Sequence, residues 1–335
     1  MILDVDNLKI HYRTRAGAVH AVDGASFAVP EGRIVGLVGE SGCGKTTAVR
    51  AIMGVLAENG YRAGGRLVFK GQEIDEAATR KLRWRDIAYV PQSAMSSLDP
   101  VYTVGAQIVE VLTKRGSATR AAAAKRAAAL FELVGLSERR LADYPHQFSG
   151  GMRQRAAIAM ALALEPSLLL ADEPVTALDV IVQRQILDTL RALQQRLGLS
   201  IVLVTHDISV VAYLCDDVVV MYAGQVVERG PVREVLARPR HPYTMGLRNA
   251  FPDLMSDAMA LVPIHGSPPD LAAPPPGCRF APRCPFAEAA CRTAFALPPS
   301  SDHFSACRRD AEADQLRTAA LDPVTWQRSL SFAAS

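Results

Sequence analysis

Gly39, Gly44, Lys45 and Thr46 occupy the fixed positions of a GxxxxGK[ST] loop in the run Gly39-Glu40-Ser41-Gly42-Cys43-Gly44-Lys45-Thr46-Thr47. The apolar stretch Ile34 to Val38 precedes it and a helix-compatible stretch, Ala48 to Leu56, follows. In that strand-loop-helix setting, the N–H groups of Gly39, Ser41, Gly42, Cys43, Gly44 and Thr47 can close around a β-phosphate. Lys45 can reach the β/γ oxygens, and the Thr46 hydroxyl can hold Mg²⁺. The predicted ligand is a nucleoside triphosphate. A second chemistry-bearing run is Ser167-Leu-Leu-Leu-Ala-Asp172-Glu173-Pro174, an apolar strand that ends in two carboxylates. Alone, such a pair is as often a helix cap or a solvated turn. After a phosphate loop, Asp172 is placed to organise Mg²⁺ and Glu173 to accept a proton from an attacking water, which favours hydrolysis.

The elements that must position these groups are readable in outline. Leu3 to Tyr12, Gly24 to Val29 and Gly65 to Lys70 alternate as strands and predict an antiparallel β element beside the nucleotide. Thr103 to Leu136 turns helical, with Arg120 to Leu133 rich in Ala, Lys, Arg and Leu, and predicts a helical insertion over about residues 93–165. Ser167 to Ala171 and Ser200 to Thr205, separated by the amphipathic Val180 to Leu197, predict parallel strands joined by a helix. The fold class is therefore α/β. Prolines at 252, 263, 268, 269, 274, 275 and 276 break any long element, giving a Pro-rich linker over 251–277 between a domain of residues 1–250 and a small extension, 278–335.

A chain of 335 residues with 49% hydrophobic content has material for a large core. The net charge is only +3, with 37 basic and 34 acidic residues, which argues against nucleic acid as the main partner. The longest apolar run, Ala156 to Leu164, falls far short of the ~20 residues a spanning helix needs. Nothing at the N-terminus resembles a secretion signal, and the expected location is cytoplasmic.

Phe148-Ser149-Gly150-Gly151-Met152-Arg153-Gln154-Arg155, upstream of the acidic strand, resembles the signature of ATP-binding-cassette proteins, with Phe148 and Met152 departing from the usual Leu-Ser-Gly-Gly-Gln. Other elements of that family occur in order: Tyr12, Gln92 after Ile87 to Val90, Ala177-Leu178-Asp179, and His206 after Ile201 to Thr205. The resemblance spans roughly residues 1 to 250. It implies a P-loop cassette fold with an antiparallel β subdomain and a helical subdomain, ATP and Mg²⁺ as ligands, and ATP hydrolysis. It also implies Tyr12 as the adenine platform, with Val22 or Tyr61 as alternatives, Gln92 beside Thr46 and Asp172 at Mg²⁺, and His206 at the γ-phosphate. Lys45, Glu173 and His206 are the implied catalytic residues. Ser149, Gly150 and Gly151, with Asp179 in the D-loop, would serve a nucleotide held by a second subunit.

The segment Gln92 to Pro100 with Thr103-Val104-Gly105, and His241-Pro242-Tyr243-Thr244, resemble oligopeptide and dipeptide importer ATPases, and nickel importers share much of the pattern. The resemblance implies a motor paired with a second ATPase, a paralogue, below two membrane permeases that receive cargo from an extracytoplasmic binding protein. The chain would then sit peripherally on the cytoplasmic face of the membrane. A soluble repair or translation cassette and a non-hydrolysing regulatory subunit are the competing readings. The single uninterrupted cassette weighs against the first, and the presence of Lys45, Asp172, Glu173 and His206 against the second.

Cys278, Cys284, Cys291 and Cys307 are spaced C-x5-C-x6-C-x15-C. The tight pairs of zinc ribbons are absent and cytoplasmic disulfides are rare, so a 4Fe-4S cluster is the first candidate, with zinc and plain reduced thiols as alternatives. The importer resemblance supports the cluster. Cys43, at a helix N-terminus, is expected to have a depressed thiol pKa and to let thiol reagents block nucleotide binding. Cys215 is expected to have a local role in the core.

Overall fold

The computed structural model describes residues 1–92, 97–250, 263–295 and 301–327. Residues 93–96 of the segment after Gln92, and the part of the Pro-rich stretch that includes Pro252, lie outside these. In chain order the elements begin with β1 (Leu3–Thr14), β2 (Gly17–Val29), β3 (Ile34–Val38), α1 (Lys45–Ile52), β4 (Gly60–Phe69), β5 (Gln72–Glu73), α2 (Glu76–Leu82) and β6 (Ile87–Val90). Next come α3 (Val104–Lys114), α4 (Arg120–Leu133), α5 (Gly150–Ala161), β7 (Leu168–Asp172), α6 (Val180–Leu197), β8 (Ser200–Thr205) and α7 (Ile208–Leu214). The remainder is β9 (Asp217–Tyr222), β10 (Gln225–Pro231), α8 (Val232–Ala237), α9 (Pro242–Asn249), β11 (Phe304–Ser305), α10 (Ala313–Ala319) and α11 (Pro323–Gln327).

The strands form two sheets, β2-β1-β4-β5 and β11-β10-β9-β3-β8-β7-β6. The first is antiparallel throughout. In the second, β9, β3, β8, β7 and β6 run parallel, while β10 and β11 are antiparallel additions at one edge. The parallel strands read as unbroken apolar runs because both faces are covered. In β8, Ile201 and Leu203 enter the core shared with the helices, whereas Val202 and Val204 enter the core shared with the antiparallel sheet. Successive side chains of a strand point to opposite faces, so one run feeds two cores.

Two expectations change in detail. β2 starts at Gly17 rather than Gly24, because pairing with β1 continues to the Thr14–Gly17 turn. The helical stretch from Thr103 to Leu136 is two helices, each with a Thr at its N-cap: Thr103 accepts from the Ala106 N–H and Thr119 from the Ala122 N–H. Ala123, Ala127, Leu130 and Phe131 put one face of α4 into the core.

The C-terminal segment is joined to this core. β11 pairs with β10, and Phe280, Ala313, Leu316, Ala320 and Trp326 belong to the same buried cluster as the parallel sheet. The carboxylate of Glu228, fully buried on β10, accepts from the N–H groups of Arg240 and His241 at 2.8 Å each and lies 2.7 Å from His303 Nε2. It thereby ties the entry of α9 to the chain just before β11. Burial holds the His241 imidazole down at about 3, so it stays neutral and its Nδ1 accepts the Tyr243 N–H at the start of α9.

Trp326 is fully buried and lies against Gly246 of α9, where an added Cβ would come within 2.4 Å of its ring. Trp326→Ala is expected to cost about 3–5 kcal/mol of unfolding free energy, read by urea denaturation. A loss below about 1 kcal/mol would mean that the tail does not share the core.

Candidate functional site

Ligands of open α/β sheets bind outside the carboxyl ends of the parallel strands, and here those ends deliver nearly every chemistry-bearing residue. The phosphate loop leaves β3, Gln92 follows β6, Asp172 ends β7 with Glu173 next after it, and His206 follows β8. The loop fits because Gly39 and Gly44 have no side chain: an added Cβ would meet the Met221 carbonyl oxygen at 2.1 Å and the Ala21 carbonyl oxygen at 2.3 Å. Gly44, at φ 101°, also needs the left-handed backbone that glycine takes at least cost. Lys45 is only 5% exposed, and its Nζ donates to the carbonyls of Gly39 at 2.7 Å and Glu40 at 2.9 Å.

Asp172 is fully buried, with Thr46 Oγ1 donating to one carboxylate oxygen and Tyr89 Oη to the other, each at 3.1 Å. Burial pushes its carboxyl above the usual range, against the pull of those two bonds. Burial, reinforced by Asp172, raises the Tyr89 phenol to about 12, so it remains a proton donor. Glu173 sits on left-handed backbone at φ 48°, an uncommon conformation for a side-chain-bearing residue. Its carboxylate accepts from Gln92 Nε2 at 2.9 Å and Thr176 Oγ1 at 3.0 Å, and His206 Nδ1 lies at 3.2 Å. Burial alone would raise its pKa, but the bonds with His206 and Thr176 outweigh it and leave the carboxyl below its ordinary value. The group is thus a charged carboxylate at neutral pH, ready to accept a proton.

Tyr12 lies at the edge of the loop, with its hydroxyl 3.5 Å from Thr47 Oγ1 and its ring over Gly60. Of the alternatives, Val22 is fully buried and Tyr61 is engaged by His11 edge-on and by Arg13 at 4.7 Å. Ser149, Gly150 and Gly151 begin α5, where the Ser149 hydroxyl caps the helix by accepting from Met152 N–H. An added Cβ at Gly151 would come within 2.4 Å of Val182, so α5 and α6 pack closely there. Asp179 likewise caps α6. Among the described residues these two groups hydrogen-bond within their own helices and do not join the Lys45, Asp172, Glu173 and His206 network.

Cys278, Cys284, Cys291 and Cys307 line one small cavity together with His241. The thiol groups of Cys278, Cys284 and Cys307 all have pKa values raised, first by burial. Among the described residues, His11, His20 and Asp23 are the one set of three metal-capable side chains converging within 4.8 Å, so no three of the four sulfurs do. Asp23 is already paired with the buried Arg279.

The expectation for Cys43 is corrected. Its side chain is buried beneath the loop, and burial raises the thiol pKa despite the nearby Lys45. Cys215 is also buried and its thiol is pushed up by burial; an added Cβ at Gly36 would meet its sulfur at 2.9 Å, which fixes its role as packing. Tyr89, Thr176 and Glu40 are site residues that pattern reading misses. Tyr89 sits in a strand that reads as core, and only the fold reveals that its hydroxyl reaches Asp172.

A family model described as ABC transporter matches residues 22–176, and one described as the C-terminal region of oligopeptide/dipeptide transporters matches residues 227–291. The chain is 44% identical over 323 residues to a probable peptide ABC transporter ATP-binding protein of Sinorhizobium fredii, covering 93% of this chain and 96% of that one. It is 44% identical over 290 residues to a dipeptide transport ATP-binding protein of Bacillus subtilis, covering 85% and 87%. Among solved structures, an ATP-binding cassette captured as a post-hydrolysis dimer with ADP and Pi is 28% identical with a TM-score of 0.62, covering 69% of this chain and 99% of that one.

Alkylation of the native chain by iodoacetamide, followed by mass spectrometry, is expected to leave Cys43 and Cys215 unmodified until urea is added. Rapid labelling of Cys43 in the native state would contradict its burial.

Proposed function

The chain belongs to the ABC transporter ATPases that carry an oligopeptide/dipeptide-type C-terminal region, and we propose that it is the ATP-hydrolysing motor subunit of a peptide importer. The observation that carries the reading is the Glu173 carboxylate, held on a strained backbone by Gln92, Thr176 and His206, one residue from the Asp172–Thr46 pair. Adenine stacks on Tyr12, and the loop from Gly39 to Thr47 receives the phosphates. Lys45 turns from the loop carbonyls to the β/γ oxygens. Thr46, Asp172 and Gln92 form an all-oxygen donor set suited to Mg²⁺, which when bound neutralises charge on the phosphates. Glu173 accepts the proton of the attacking water, and His206 meets the γ-phosphate.

Ser149, Gly150 and Gly151 act on the nucleotide of a second ATPase subunit, since the N-terminus of α5 favours negative charge, and Asp179 lies at the same junction. A paralogue is the proposed partner. Two permeases and an extracytoplasmic binding protein complete the importer, with this chain peripheral on the cytoplasmic face. No helix among the described residues is long and apolar enough to cross the membrane, so this reading assigns translocation to the partners.

Residues 1–250 are proposed as the nucleotide-binding domain, 251–277 as its linker and 278–335 as the four-cysteine extension. The four thiols share a cavity, and a 4Fe-4S cluster is the proposed occupant, ahead of zinc. A tetrathiolate zinc site, with Zn–S of ~2.3 Å, would bring its sulfurs to about 3.8 Å apart, closer than any three of these thiols converge. When bound, such a cluster supplies a rigid four-point crosslink and a redox centre.

Glu173→Gln is expected to slow ATP turnover about 10²- to 10⁴-fold while ATP binding persists. Near-normal turnover would remove Glu173 from the base role. Anaerobically purified protein should carry four irons with acid-labile sulfide, lost in Cys284→Ser; zinc or no metal would overturn the cluster assignment.

A further inference from the structure

The five residues between Cys278 and Cys284 include two arginines that are almost wholly buried, Arg279 at 4% and Arg283 at 6% exposure. Both are aimed at the nucleotide domain. Arg279 donates to the Ala223 carbonyl at 2.5 Å and pairs with Asp23 on β2. Phe280 between them packs on Tyr222 and Tyr243, at ring-centroid distances of 5.2 and 5.4 Å. Arg283 grips Glu40 with both ends of its guanidinium, Nη1 to Oε2 at 2.8 Å and Nη2 to Oε1 at 3.1 Å, and also donates to Tyr222 Oη at 3.2 Å.

Glu40 is the second residue of the phosphate loop. Its N–H donates to Tyr243 Oη at 2.9 Å and its carbonyl accepts from Lys45 Nζ at 2.9 Å. A residue 243 positions away in sequence therefore fixes the side chain of the residue whose backbone holds the phosphate-binding lysine. A bidentate arginine–carboxylate pair sets both distance and plane, and removing Glu40 from this half-buried pair leaves the charge of the buried Arg283 uncompensated. The two cysteines bracketing this segment face the four-thiol cavity, so whatever ties the thiols together fixes both ends of the segment that carries Arg283.

We propose that Arg283 is a positioning residue for the phosphate loop, acting through Glu40, and that the Cys278–Cys284 segment transmits the state of the cysteine cage to the ATP site. The transmission half rests on reading the thiols as a metal cage; the Arg283–Glu40 half does not.

The test is MgATP binding by calorimetry and steady-state turnover on the full chain, purified anaerobically, with the melting temperature and iron content measured for every variant. Arg283→Gln and Glu40→Gln are each expected to weaken ATP binding about tenfold. For Arg283→Gln, turnover at saturating ATP should stay within about threefold, the split expected when a binding loop is misplaced. The double variant should bind no worse than either single one, and Arg283→Lys should recover part of the loss. Should Arg283→Gln fail to fold, Arg283→Lys with Glu40→Gln reads the same coupling. Unchanged affinity in the folded variants, or losses that simply multiply, would overturn the positioning role. Cys284→Ser is expected to weaken ATP binding in the wild-type background but not in Glu40→Gln; unchanged affinity in both would overturn the transmission. Iron-free wild type that still shows Arg283–Glu40 coupling would sink the cage reading and support the positioning role.

Discussion

The phosphate loop can occupy its place only because Gly39 and Gly44 carry no side chain. It is wedged between the Met221 carbonyl at the end of β9 and the Ala21 carbonyl of β2, at 2.1 and 2.3 Å from where Cβ atoms would stand. Contact that close to backbone on both sides leaves the loop little freedom. Its shape is therefore set by both sheets at once, the parallel sheet beneath it and the antiparallel sheet beside it. The other strand ends are arranged around that fixed point, with β7 supplying Asp172 and Glu173, β8 His206 and β6 Gln92.

Charge buried at the site is met by specific hydrogen-bond partners. Asp172 would be costly to ionise where it lies, and its two donors, Thr46 and Tyr89, lower that cost. Glu173, one residue on, faces outward into three polar partners and has the opposite shift. Two adjacent carboxylates thus acquire different chemistry from their surroundings, one suited to a cation and one to a proton. The same economy recurs away from the nucleotide. Glu228 holds the start of α9 and His303, while Arg279 and Arg283 carry the C-terminal segment onto β2 and the phosphate loop. These buried polar ties explain how a segment rich in proline and poor in regular structure is held against the core.

Much of this is readable in the sequence where chemistry and local structure coincide. Ile34–Val38, Ile87–Val90, Val180–Leu197 and Ser200–Thr205 announce their elements because an apolar run or a helical period determines each one locally. The phosphate loop, Asp172, Glu173 and His206 are visible because each follows such a run. Long-range pairing is not visible: nothing near Tyr89 signals that its hydroxyl will reach Asp172, and nothing near Arg283 signals Glu40. Cys43 is misjudged for a related reason. Its place at a helix N-terminus is local and predicts an acidic thiol, whereas its burial under the loop is tertiary and dominates. The tail reads as an appendage because its glycines and prolines suppress any pattern, yet Phe280, Leu316 and Trp326 are core residues.

The central claim is that one ATP site is built from these strand ends and extends through Glu40 into the cysteine segment. Amide hydrogen exchange of the full chain with and without MgATP addresses it directly. The account predicts slower exchange in the peptides covering 39–47 and 278–284 together when the nucleotide binds. Unchanged exchange over 39–47 would contradict the site itself, and protection there with 278–284 unaffected would contradict its extension into the tail.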